Sequence, residues 1–185
     1  FIDVDKIILD NENSLNNFNG NLFIQNQEIL DGDLIGYFDD KKKLTFTVKS
    51  ANNQKITTMF LDKANVIVNR YKFIKGFKGG LLDFYSIKDQ NETVSSLKIY
   101  DFKLKELPIL TKLLTLASLQ GIADLLSGEG IGFDEFEMKF KNKKNVMTID
   151  EIYAIGPAIS ILMSGYVEKN KLISLRGTLV PATTI

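Results

Sequence analysis

Three adjacent acidic pairs, Asp39–Asp40, Asp134–Glu135 and Asp150–Glu151, could in principle do general acid–base chemistry, one carboxyl giving a proton while the other takes one. Their spacing works against it. Neighbours in a strand project to opposite faces, so both carboxyls meet one substrate only where a bulge re-aims one of them. Each pair also falls at an expected turn or bulge, where acidic side chains end or blunt a strand. No D-x-D-x-D-G loop with a closing Glu is present, which removes the usual loop-type Ca²⁺ site. The chain has no histidine and no cysteine, so Ser–His and Cys–His nucleophiles, thiolate metal sites and disulfides drop out. The glycine clusters GFKGG (76–80) and GEGIG (128–132) follow expected helices, whereas phosphate-cradling loops precede one and use its N-terminal amides. They read as helix ends and strand starts. An enzyme is not expected, nor a cofactor or metal.

Charge and aromatic content exclude a second class. Twenty-three basic residues balance 23 acidic ones, and Arg70 and Arg176 are the only arginines, so nothing draws the chain to nucleic acid. The 13 Phe and 6 Tyr could stack on bases, but without tryptophan or a basic stripe they read as core. The lysine runs at 41–43 and 139–144 sit at expected hairpin ends, where charge is solvated.

The elements that would position these residues are mostly strands. Residues 1–9 read as a strand whose apolar parity changes at Asp5–Lys6, and Asp10–Gly20 reads as an Asn-rich loop. Strands are expected at 22–29, 33–38, 44–49 and 55–61, with turns at Asp31–Gly32, 39–43 and Asn52–Asn53. Asp62 is placed to cap a helix over 63–75, in which Ala64, Ile67, Val68, Tyr71 and Ile74 share a side. Strands at 81–87 and 96–104 follow, the second with Tyr100, Phe102 and Leu104 on one face. Pro108 opens an almost uniformly apolar helix over 108–127. Then comes a four-stranded meander. Its first strand (131–141) slips parity at Asp134–Glu135, and its second (146–155) carries Met147, Ile149, Tyr153 and Ile155 on one face. Strands from 158 and from about 171 complete it, with turns at 142–145, Gly156–Pro157 and 168–170. The expected class is α+β, mainly antiparallel β: a meander sheet with two helices, residues 1–106 carrying one sheet region and 107–185 the apolar helix and a continuous four-stranded extension.

Such a sheet has more apolar surface than two helices can cover. Leu44, Phe46 and Val48, then Phe136, Met138 and Phe140, then Ile159, Ile161, Met163, Ile173 and Leu175 are the residues expected to face one side. From the residues alone, a closed core made by the two helices and sheet curvature comes first, and an open groove that covers itself with acyl chains, each buried CH₂ contributing roughly 0.8 kcal/mol, remains beside it.

Between 107 and 182 the ordered motifs LASLQGI, LSGEGIGF, AIGPAISI, SGYV and LRGTLVPA resemble the C-terminal part of AsmA-like envelope proteins, particularly the long YhdP-type members. Upstream, Phe46–Ser50, Gly79–Gly80 and KIYDFKLKELP extend the likeness thinly. The resemblance implies a long curved antiparallel sheet with an apolar groove, carrying phospholipid between inner and outer membranes of a diderm bacterium. It implies a periplasmic location and an inner-membrane anchor outside this segment, the chain being a piece of a longer protein. Partners would then be phospholipid acyl chains, membranes reached through other parts of the protein, and envelope proteins. A closed-core scaffold that docks a partner through the long helix is the alternative.

Overall fold

Among the described residues, eleven strands pair strictly in sequence order, each antiparallel to the one before it, in a single sheet. The computed structural model describes residues 1–70, 76–105, 130–169 and 172–181. The strands are β1 (Ile2–Ile8), β2 (Ser14–Gln25), β3 (Glu28–Phe38), β4 (Lys43–Ala51), β5 (Gln54–Leu61), β6 (Lys78–Lys88), β7 (Thr93–Leu104), β8 (Ile131–Lys143), β9 (Val146–Ile155), β10 (Ile159–Glu168) and β11 (Leu172–Pro181). Between β5 and β6 the described residues include one short helix, α1 (Asn65–Val68). The expected antiparallel meander is present, and β7 pairs with β8 from Thr93 to Leu104, so the ladder runs across the 106/107 division. The apolar helix expected at 108–127 lies outside the described residues.

Turn chemistry explains most of the hairpins. Asn52 (φ 52°) and Asn53 (φ 62°) form the expected two-residue turn, since asparagine tolerates left-handed backbone and the resulting twist suits a hairpin. The expected turn at Asp31–Gly32 is a correction: both residues lie inside β3, opposite Phe23 and Leu22. The chain turns instead at Asn26 (φ 51°) and Gln27 (φ 65°). Gly32 has a packing role, because a Cβ there would sit 2.5 Å from Leu22 Cδ2. The loop expected over Asp10–Gly20 is a second correction. Only the first residues turn, with Asp10 Oδ1 accepting from the Glu12 and Asn13 amides at 2.9 and 2.8 Å, and β2 starts at Ser14.

The helix expected over 63–75 is shorter than its apolar spacing suggests. It covers Asn65–Val68, its N-cap position is Ala64, and 69–70 form a turn; residues 71–75 lie outside the described set. Asp62 does not cap it, because its carboxylate accepts the Lys43 amide at 2.8 Å, tying the helix entry to β4. Asn69 donates to the Phe77 carbonyl at 3.0 Å and Arg70 to the Leu9 carbonyl at 2.9 Å.

Paired residues share a face, and the described residues hold one core on one side of the sheet. Leu15, Phe38, Leu61, Leu82, Ile99, Phe102, Ile131, Phe133, Ala154 and Ile159 are buried there with Ala64, Val66, Val68 and Phe77 from the β5–β6 connection. Phe77, Phe102 and Phe133 stack with centroids 5.1 and 5.4 Å apart, and Phe136 meets Phe102 edge-on at 6.5 Å. Such aromatic pairs add about 0.5–1.5 kcal/mol each beyond area burial.

Ile99 and Phe102 are three apart in one strand, yet both are buried in this core. The left-handed backbone at Asp101 (φ 52°) changes the strand's parity between them. This corrects the face expected for Tyr100, which is not among the core residues, while Phe102 and Leu104 are packed there. Opposite, the parity of β8 slips at Asp134–Glu135 as expected, and the ladder stays in register on both sides (Tyr100 with Glu135, Phe102 with Phe133). A similar exchange occurs where β1 changes parity. The irregularity sits in β2 at Asn17 (φ 48°), and the β2–β3 register shifts between Asn16 and Asn19.

Gly165 occupies another strained point, at φ 157° in β10, where an added Cβ would lie 2.0 Å from the Ser174 carbonyl oxygen. Backbone in that region and a clash with a neighbouring strand cannot both be relieved without moving β11. Gly165→Ala is expected to lower unfolding free energy by about 2 kcal/mol or more. Urea unfolding of wild type and variant measures it, and an unchanged midpoint would contradict the close approach.

Candidate functional site

The eleven candidate residues fall on one side of the sheet. One transverse row runs through paired positions Leu44, Leu61, Leu82, Ile99, Phe136, Ala154, Ile161 and Leu179, from β4 to β11. The next, two residues along each strand, holds Phe46, Met59, Phe84, Leu97, Met138, Ile152 and Met163 and ends on Gly177. A third holds Val48, Thr57, Ser86, Ser95, Phe140, Ile149, Gly165 and Leu175. Ile159 flanks the first row and pairs with Pro181, and Ile173 lies past the third and pairs with Val167.

Sequence reasoning placed the candidates in β4, β8, β10 and β11 and missed what joins them. Met59, Phe84, Leu97 and Ile152 carry the second row across β5, β6, β7 and β9. Their i, i+2 spacing to Leu61, Leu82, Ile99 and Ala154 is the signal that could have found them. In β9 the expected face of Met147, Ile149, Tyr153 and Ile155 is corrected. The register against β8 shifts between Lys139 and Phe140, so Ile149 and Ile152 share the apolar side while Tyr153 pairs with Glu137. Asp150 and Glu151 occupy that irregular point.

Exposure varies along the face. Ile159 (0%), Val48 (2%) and Phe140 (9%) are buried; Leu44, Phe46, Phe136, Met138, Ile161 and Met163 are half-buried; Leu175 (41%) and Ile173 (68%) are exposed. The third row is not wholly apolar. Ser95 donates to Ser86 Oγ at 3.0 Å, so two buried hydroxyls satisfy each other midway between Val48 and Phe140.

The opposite face is charged. Glu137 lies 3.5 Å from Lys98 and 3.6 Å from Lys139, Lys139 lies 3.0 Å from Glu151, and Lys141 lies 3.0 Å from Asp150. One of the acidic pairs, Asp150–Glu151, thus puts both its carboxylates into cross-strand ion pairs. Glu151, then Glu137, raise the Lys139 ammonium, and Asp150 raises that of Lys141. Exposed pairs of this kind contribute about 0–1 kcal/mol each. Their effect is to keep this side wet. Among the described residues, no cluster of acids is arranged to hold a metal ion.

Asp39, of the third acidic pair, ties strands together. Its carboxylate accepts from Ser14 N at 3.1 Å, Ser14 Oγ at 2.6 Å and Asn16 Nδ2 at 2.9 Å, clasping the start of β2 to the end of β3. The Ser14 hydroxyl, then the Asn16 amide, hold its pKa down to about 2. Across β4 and β5, Glu28 at the start of β3 reaches Lys88 at the end of β6 (3.1 Å), and it also meets Lys55 of β5 (3.3 Å). Lys88, then Lys55, lower its carboxyl.

No family model matches the chain, and neither a curated protein nor a solved structure matches it.

Because Asp39 titrates lower in the folded state than unfolded, its contribution is complete above about pH 4 and fades as pH falls through about 2. Asp39→Ala is expected to be less stable than wild type at pH 7, with the gap closing between pH 4 and 2. Thermal unfolding of both proteins across that range tests it; a gap independent of pH would deny the carboxylate this role.

Proposed function

We propose that the chain is a segment of an AsmA-like lipid-transfer protein of the bacterial envelope, in which the apolar side of the sheet forms a groove for phospholipid acyl chains while the charged side faces water. The observation that carries this reading is the unbroken pair of apolar rows from β4 to β10, the first continuing to Leu179 in β11, backed by an ion-paired opposite face. Acyl chains need a surface that is apolar along its length and makes no demand for hydrogen bonds, and those rows offer it.

Curvature is supported by the reach of Glu28. In a flat sheet β3 and β6 stand about 14 Å apart, three strand spacings. Side chains that stand off the sheet meet across that gap when the strands curl toward the side they share, which here is the apolar one. In the proposed setting the protein works in the periplasm, anchored to the inner membrane by a segment outside this chain, and meets other envelope proteins there. No catalytic residue, metal or cofactor is required.

A closed-core scaffold is the competing reading, favoured by the burial of Val48 (2%), Phe140 (9%) and Ile149 (5%). Photo-crosslinking from position 161, with extraction and mass spectrometry of lipid bound to the full-length protein, separates the two. The groove gives a phospholipid adduct at Ile161, and Leu175→Asp stays folded while opposing lipid passage by several kcal/mol. No adduct, together with gross unfolding of Ile161→Asp and Leu175→Asp, would leave the scaffold.

A further inference from the structure

Among the described residues, no strand pairs with the outer edge of β11, so a row of backbone N–H and C=O groups stands open there. Edge strands are ordinarily blunted by charge, proline or a bulge. At the other edge β1 follows that rule, with Asp3, Asp5 and Lys6 among its seven residues. β11 does not. It pairs with β10 over ten consecutive residues without a register shift, its one charged residue is Arg176, and its proline is the last residue. It also exposes apolar side chains on both faces. Ile173 (68%) and Leu175 (41%) lie on the apolar side, Leu172 (49%) and Val180 (55%) on the polar one. A strand apolar on both sides has the composition of a sheet interior. The three rows of the apolar side run up to this edge and stop there, at Leu179, Gly177 and Leu175.

We propose that this edge pairs with β11 of a second copy of the chain, antiparallel about a two-fold axis through Gly177. An added strand satisfies the open backbone groups, and the register follows from the residues. Paired residues share a face, so apolar side meets apolar side only when the axis passes through a residue and not between two. Axes through Arg176 and Gly177 give the longest ladders, nine of the ten residues of β11 in each case. Charge decides between them. An axis at Arg176 sets two guanidinium groups directly opposite each other, which repels. The axis at Gly177 puts Arg176 opposite the second copy's Thr178 and Leu175 opposite its Leu179. The first apolar row of each copy then continues into the third row of the other. A two-fold pair uses the edge once and closes, whereas β11 on β1 would repeat without end. The strands alternate in direction, so β1 and β11 run the same way, and joining them with faces matched would also need a parallel ladder. The inference stands apart from the groove reading, because a closed core leaves the same edge open.

Sedimentation equilibrium of the 185-residue chain should show monomer and dimer in exchange. Thr178 is exposed, and its substitution changes the pairing across the axis without touching the core. Thr178→Glu, which offers Arg176 a carboxylate twice per dimer, should tighten the dimer about fivefold, and Thr178→Arg should weaken it by a similar factor. Circular dichroism checks that both variants are folded. The chain has no cysteine, so introduced thiols report the register. Leu175→Cys mixed with Leu179→Cys should form a disulfide on mild oxidation, since directly opposite residues have Cα atoms about 4.5–5.5 Å apart. Either variant alone should not, its two thiols lying about 13 Å apart along the strands. A monomer at every concentration overturns the proposal. If its β11 amides are protected from hydrogen exchange, another segment of the protein fills the edge in place of a second copy. A dimer indifferent to the charge at position 178, or cross-linked by one cysteine variant alone, overturns this edge and register. Assemblies larger than a dimer overturn the two-fold pairing in favour of β11 on β1.

Discussion

Everything on this sheet depends on antiparallel register. Paired residues share a face, and a slip of one residue in any ladder would turn every side chain beyond it to the other side. From Leu44 in β4 to Leu179 in β11 the register carries one apolar row across eight strands. Where a strand changes parity, its neighbour accommodates the change. Asp101 takes left-handed backbone opposite Gly80, itself at φ 89°, and β8 slips at Asp134–Glu135 alongside. Between β8 and β9 the solution differs, an extra residue at Asp150–Glu151 absorbing the shift.

The two faces divide the work that register makes available. One side gathers the aromatic stack of Phe77, Phe102 and Phe133 and the buried aliphatic residues around it. The other alternates lysine and glutamate across β7, β8 and β9, where like charges directly opposite would repel. Acidic residues that look like chemistry in the sequence serve the wet face at Asp150 and Glu151 and a strand clasp at Asp39. Their carboxylates are already spent on lysines, a serine and an asparagine.

Much of this was legible in the sequence, because period-2 alternation in Leu44–Lys49 or Ile159–Met163 has one physical meaning. The slip at Asp134–Glu135 was also visible, since Phe133 and Phe136 are an odd number apart. Other features were hidden by residues with two uses. Asp31–Gly32 has the chemistry of a turn, but Gly32 is small so that the Leu22 side chain can lie against it. The Asn-rich start of β2 offers few apolar residues because its polar side chains work in the strand, as Asn16 does for Asp39. Asp62 looked like a cap until the Lys43 amide claimed its carboxylate, a contact 19 residues away in the chain. The Glu28–Lys55–Lys88 cluster joins residues up to 60 apart, and no local pattern announces it.

Strict sequence order of the strands has a mechanical corollary. Each strand is bonded to its chain neighbours, and among the described residues the side-chain reach of Glu28 is one of few ties across several strands. A sheet wired this way resembles a solenoid in its energetics, with nearest-neighbour coupling along one dimension. Length can then be gained or lost one hairpin at a time, about 10 Å of width per hairpin, without rewiring the rest. Tension applied across the two edge strands would peel the sheet serially, ladder by ladder, at modest force. The same tension along the strands would load each ladder in shear, which resists far more.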